Sequence, residues 1–184
     1  MAITLVAATE ADFPAIITMM NAAFRGTGGV RGWSIEADYI KGQRTNESLL
    51  REEIAAGALY LLAKEEATSA LQGCVCLQSS SPEKWYLGAL TVNPSLQSAG
   101  FGSQLLHAAE HYAAMHGAQV IEITVVHVRE ALIAWYERRG YRRTGETRPF
   151  PYGDNRYGTP MRDDLQFVVF EKHLRAWDAA SPVH

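Results

Sequence analysis

The 184-residue sequence has no apolar run of the roughly 18 residues that a helix needs to cross a bilayer, so a helical membrane span is not expected. Cysteine is scarce: only Cys74 and Cys76 occur, in "GCVCL". On a strand, side chains at i and i+2 share one face, a geometry unsuited to a mutual disulfide, so both thiols are expected to be reduced and packed. A C-x-C pair without further ligands nearby also gives no metal site. Positive charge is not in excess, with 17 Lys and Arg against 20 Asp and Glu and a formal charge of -3. That balance supplies no field for non-specific nucleic-acid binding, although the basic cluster "YERRGYRR" could attract a phosphate locally. The N-terminal "MAITLVAATEADF" lacks a basic region and carries an acid by residue 10, so it does not read as a secretory signal, and a cytoplasmic location is expected.

What remains is an ordinary globular composition, 47% hydrophobic and 20% charged, sufficient for one core. A single domain is expected over residues 3–174, followed by a flexible C-terminal tail at 175–184. "ITLVAA" reads as a strand, and Thr9 with Asp12 three residues later forms a helix-start pattern ahead of Phe13, Ile16, Ile17, Met20 and Phe24. A second helix is expected from Thr45 or Asn46 to Gly57. "ALYLLAKE", "LQGCVCLQS" and "KWYLGALTV" follow as strand-like runs and suggest an antiparallel meander. Two further helices, ending near Gly117 and Gly140, enclose the strand "AQVIEITVV". "YRRTGE" and "DLQFVVFEKHL" close the chain as a strand pair. The sum is an α/β fold: a central mixed, mostly antiparallel twisted sheet flanked by about four helices. Two long segments, 25–44 and 147–163, are rich in glycine, aromatics and both charges, and long ordered loops of this kind are often functional.

The stretch "TVNPSLQSAGFGSQLL" places Gly100 and Gly102 at the start of a helix. A nucleotide-triphosphatase loop needs a lysine after its last glycine, and Ser103-Gln104 stand there instead. A dinucleotide fingerprint needs a third glycine, which is also missing. A strand-to-helix turn without a ligand stays open on these grounds alone. The wider pattern, from Val92 through Pro94, Gln97, Gly100 and Gly102, resembles the acetyl-CoA signature of the GNAT superfamily of N-acetyltransferases, Q/R-x-x-G-x-G/A after a V-x-P strand end. "ALIAWYERRGYRRTGE" is similar to that family's downstream helix-strand unit, and the order of elements also agrees.

The resemblance implies a single-domain GNAT fold, acetyl-CoA as co-substrate without a metal, and transfer of acetyl to an amine of a small molecule or peptide in a ternary complex. Gln97, Ser98, Ala99, Gly100, Phe101, Gly102 and Ser103 would then hold the pyrophosphate at a helix start, where backbone N–H groups are unpaired and carry partial positive charge. The backbone of Leu90, Thr91 and Val92 would run beside pantetheine, with Gly88 at a bulge or a tight packing point. Tyr136 corresponds to the family's general-acid tyrosine. Glu122 is the first choice for a base acting through water, with His127 as a relay of lower rank. Arg129 replaces an asparagine that commonly touches the cofactor. Trp33, Glu36, Arg148 and Tyr152 would frame the acceptor, together with Arg44, and their mixed charge suits a polar amine or an amino-acid-like molecule. The same resemblance admits a homodimer and a different class of protein, a non-catalytic acyl-CoA sensor on this fold.

Overall fold

The computed structural model describes residues 3–27, 35–96 and 100–174. In chain order the elements are β1 (Leu5–Ala7), α1 (Phe13–Arg25), β2 (Ile40–Lys41), α2 (Glu47–Ala55), β3 (Leu59–Lys64), β4 (Leu71–Ser79), β5 (Lys84–Val92), α3 (Phe101–Met115), β6 (Val120–Val126), α4 (Glu130–Glu137), β7 (Arg142–Pro149), β8 (Thr159–Pro160) and β9 (Gln166–His173). Seven strands form one sheet in the order β1-β3-β4-β5-β6-β9-β7, antiparallel except for the β5–β6 pair. The final strand therefore inserts between β6 and β7.

Local chemistry sets the helix limits. The Thr9 amide donates to the Asp12 carboxylate at 2.9 Å ahead of α1, and Gly26, left-handed at φ 69°, ends that helix. Asn46 caps α2 by accepting from the Leu49 amide at 3.0 Å. Phe13, Ile16, Met20 and Phe24 share the buried face of α1 and pack with Leu50, Leu62 and Cys74 on one side of the sheet. On the other side Leu106, Ala109 and Ala113 of α3 and Ile133 and Tyr136 of α4 cover Val75, Leu77, Ile121 and Ile123. Cys74 and Cys76 are both free and belong to the α1 side, and burial pushes each thiol up to about 12.

The two long segments do not stay apart. Strands β2 and β8 pair antiparallel through Ile40 with Pro160 and Lys41 with Thr159. Gly158, at φ 105°, makes this approach possible, since a Cβ there would lie 2.6 Å from the Lys41 carbonyl oxygen. Arg25 fastens the junction, donating to the carbonyls of Gly42 at 3.0 Å and Tyr157 at 2.6 Å.

Candidate active site

The sheet opens at its centre. β5 and β6 pair only through Lys84–Val120, Trp85–Ile121 and Tyr86–Glu122, so the β6-facing edge of β5 has no strand partner from Leu87 onward. On its other edge β5 carries a bulge. Between the pairs Cys76–Gly88 and Cys74–Thr91, β5 spends two residues, Ala89 and Leu90, where β4 spends only Val75. Ala89 is left-handed at φ 49°, and the Thr91 hydroxyl donates to its carbonyl at 2.8 Å. Gly88 also packs tightly, because a Cβ there would stand 2.8 Å from the Tyr86 ring. A cavity of about 710 Å³ fills the fork between the strands.

One end of the cavity lies at the start of α3. Gly100 adopts φ 74°, which turns the chain into the helix. At Gly102 an added Cβ would only reach ordinary contact with Val92 at 3.6 Å and Trp135 at 3.7 Å, so the fold leaves room there. Arg139 reaches across from the end of α4, its guanidinium 3.6 Å from the centroid of a Trp135 ring. Its Nε donates to Ser103 Oγ at 3.1 Å and its Nη1 to the Trp135 carbonyl at 2.8 Å. A helix N-terminus with an arginine beside it forms an anion-binding end.

In the middle, Tyr136 lies on the wall and is 7% exposed, packed edge-on to Trp135 and Tyr141. Its hydroxyl makes no hydrogen bond to a described residue. Burial raises its pKa above the ordinary 10, so the phenol is protonated throughout the neutral range. The Tyr86 hydroxyl bridges the fork to Thr124 Oγ1 at 2.9 Å.

The far end is charged. Glu36 is buried between Arg25 at 2.7 Å and Arg129 at 3.1 Å. Nearby, Glu53 accepts from the Tyr60 hydroxyl at 2.5 Å and from the Tyr157 hydroxyl at 2.9 Å. Arg44 stands over the rings of Phe24 and Tyr157.

The residues singled out in the sequence divide three ways. Leu90, Val92, Gly100, Gly102, Ser103, Arg129, Glu36, Arg148 and Tyr136 are brought together on the cavity wall. Thr91 and Phe101 stand behind it: Thr91 secures the bulge, and Phe101 packs beside Val92 and Leu105. Tyr152 is 44% exposed, and its hydroxyl accepts from the Leu165 amide at 2.8 Å, away from the wall. Gln97, Ser98, Ala99 and Trp33, like the tail at 175–184, lie outside the described residues.

Glu122 is also absent from the wall. It takes Arg148 at 2.7 Å and Lys84 at 2.8 Å, and the Arg148 guanidinium holds its carboxyl below the ordinary 4.5. A carboxylate stabilised in this way is a weak proton acceptor. His127 accepts the Gln166 amide on Nδ1 at 3.3 Å and stands off the wall. Sequence reasoning missed Arg25, Glu53, Tyr60 and Tyr157. No spacing rule connects positions 53, 60 and 157, which meet only in the folded chain. Among the described residues no three His, Cys, Asp or Glu side chains are grouped to hold a metal ion, and no helix is long and apolar enough to cross a membrane.

The model of the acetyltransferase (GNAT) family matches residues 21–141, more than half of the chain. The chain belongs to the GNAT family. It is accordingly an acetyl-CoA-dependent N-acetyltransferase with acetyl-CoA as co-substrate. Solved structures agree in fold. A GNAT family acetyltransferase from Elizabethkingia anophelis, with acetyl-CoA bound, is 19% identical and superposes with a TM-score of 0.64 over 94% of this chain and 98% of that one. The ribosomal-protein-S18-alanine N-acetyltransferase from Escherichia coli is 15% identical, with a TM-score of 0.65 over 98% and 99%. The ribosomal-protein-alanine N-acetyltransferase from Brucella melitensis is 20% identical, with a TM-score of 0.62 over 93% and 99%. No curated protein sequence matches. The GNAT co-substrate fits the cavity: the anion-binding end suits its phosphates, and the partnerless β5 edge beside Leu87 and Ile123 suits an amide-bearing arm.

Proposed function

We propose that this GNAT enzyme acetylates the amine of a small polar molecule by direct attack, with donor and acceptor held in the cavity together. The observation that carries this reading is the continuity of one cavity from the Gly100–Ser103 turn, past Tyr136, to the charged end at Glu36 and Glu53.

Acetyl-CoA supplies an acetyl thioester. Gly100, Gly102, Ser103 and Arg139 hold its phosphates, and the edge of β5 from Leu87 to Val92 orients its arm. In the transfer an N–C bond forms as the C–S bond breaks. An alkylammonium acceptor of pKa near 10.4 is neutral in only about one part in a thousand at pH 7.4, so it must shed a proton before attack. It loses two protons in all: one replaces the proton that Tyr136 gives to the leaving sulfur, and the other reaches solvent.

Three carboxylates border the acceptor end. Glu36 is neutralised by two guanidiniums, and Asp154 is paired with Arg156 at 2.8 Å. Glu53, held by two tyrosine hydroxyls, is the group that accepts a proton from the amine. Glu122 positions Arg148.

Isothermal titration with acetyl-CoA, followed by CoA-release assays on a panel of small amines, amino acids and alanine-leading peptides, tests the reading. Micromolar cofactor binding and turnover of small amines are expected. Turnover confined to the peptides would overturn the small-molecule acceptor.

A further inference from the structure

The charged end of the cavity contains two opposite charges that do not pair with each other. Arg44 lies just ahead of α2, its guanidinium carbon 5.2 Å from the Phe24 ring centroid and 5.3 Å from that of Tyr157. No carboxylate oxygen of a described residue lies within 4.0 Å of its nitrogens. The other arginines on the wall are engaged: Arg25 and Arg129 by Glu36, Arg148 by Glu122, and Arg139 by Ser103 and the Trp135 carbonyl. Glu53 is the converse case. Both its oxygens take neutral hydroxyls, from Tyr60 and Tyr157, and no cationic nitrogen of a described residue comes within 4.0 Å.

Tyr157 touches both groups, its ring under Arg44 and its hydroxyl on Glu53, and so keeps them apart while placing them on one wall. An uncompensated charge of each sign, fixed by aromatic side chains before any ligand arrives, costs stability unless a ligand answers both. Ring faces against a guanidinium leave its N–H edge as the free surface, and that edge matches a planar carboxylate with two parallel hydrogen bonds.

We infer that the acceptor is a small zwitterion of the amino-acid class, its ammonium against Glu53 and its carboxylate against Arg44. The inference rests on the reading that this cavity acetylates a small amine, and names the kind of amine. Arg44 is then the residue that determines specificity. An acceptor lacking the carboxylate leaves the half-buried guanidinium without a partner, which sites of this kind penalise.

The test uses the purified full chain and CoA release, with each amino acid run beside its decarboxylated amine and its carboxamide. The best amino acid should exceed its decarboxylated partner by about 100-fold or more in kcat/KM. Arg44→Met should bring that ratio to within about fivefold of unity, chiefly by raising KM for the amino acid, while acetyl-CoA affinity by calorimetry stays unchanged. Arg44→Lys, which keeps the charge without the fork, should recover part of the preference and serves as the folding control. Decarboxylated amines turned over as well as amino acids, or a ratio that Arg44→Met leaves intact, would sink this inference while the acetyl-transfer reading stood. Failure of the unaltered protein to acetylate any small amine would take both.

Discussion

Tyr86 and Glu122 are the last Cα partners that β5 and β6 share. Beyond them the strands part, and both residues brace the fork at that point. The Tyr86 hydroxyl reaches Thr124 on β6, while Glu122 gathers Lys84 from β5 and Arg148 from β7. Lys84 also meets Glu171 on β9, so four strands are tied together at the closed end of the cavity. The opening has a definite root, and a carboxylate lies at it.

Replacing that carboxylate should loosen the root. Glu122→Gln removes two ion pairs whose cations are each more than a third exposed, so solvent discounts the loss to about 1–2 kcal/mol. The folded-state pKa of Glu122 is lowered from 4.5, so its stabilisation is present above about pH 4.5 and fades as pH falls through the lower folded value. Thermal unfolding of Glu122→Gln should therefore lie below wild type at pH 7 and converge with it in stronger acid. An unchanged melting temperature, with the acidic limb of kcat abolished, would instead make Glu122 the base.

The glycines at the start of α3 should separate by readout. Gly102→Ala finds only ordinary contacts and improves helix propensity, so stability should hold or rise by up to about 1 kcal/mol. Acetyl-CoA affinity should nonetheless fall, because the methyl takes space on the cavity wall. Gly100→Ala meets no atom within 4 Å but must adopt φ 74°, at a cost of about 1–2 kcal/mol. Calorimetry beside denaturant melts would distinguish the two, and unchanged affinity in Gly102→Ala would remove that glycine from the cofactor site.

Glu36 ties the 25–44 segment to Arg25 at the end of α1 and to Arg129 ahead of α4. Arg25 and Arg129 are each at most 10% exposed in their side chains, so Glu36→Gln leaves two guanidiniums without their carboxylate. A loss of about 3 kcal/mol or more is expected, seen as a lower urea midpoint. A variant of unaltered midpoint and raised KM for the amine would show Glu36 to be an acceptor ligand first.

Local pattern made much of this fold legible. The runs "LQGCVCLQS" and "KWYLGALTV" are β4 and β5 residue for residue, and the expected stops Gly57, Gly117 and Gly140 stand just past three helices, each with positive φ. These features depend on neighbours in sequence. The insertion of β9 between β6 and β7, the β2–β8 ladder and the burial of Glu36 depend on residues brought together from distant parts of the chain. The proposed cofactor end was readable because Gly100, Gly102 and the helix start are contiguous. The acceptor end was legible only in part: Glu36, Arg44 and Arg148 come from the two long segments, whereas Glu53 and Tyr157 join Arg44 only in the folded chain.

Tyr136 carries the sharpest prediction for the chemistry. Its side chain is 7% exposed on the cavity wall, its hydroxyl is unbonded by any described residue, and burial raises its pKa. Tyr136→Phe keeps the ring packed against Trp135 and Tyr141 and removes only the proton donor. Loss of a positioned general acid costs about 100-fold or more in rate, so kcat should fall by that factor with acetyl-CoA affinity retained within about threefold. Because the phenol stays protonated well past neutrality, the wild-type rate should show no alkaline decline from this group below about pH 10. A variant that acetylates at the wild-type rate would require the leaving sulfur to take its proton from water, and Tyr136 would then be a packing residue whose hydroxyl has no part in the transfer.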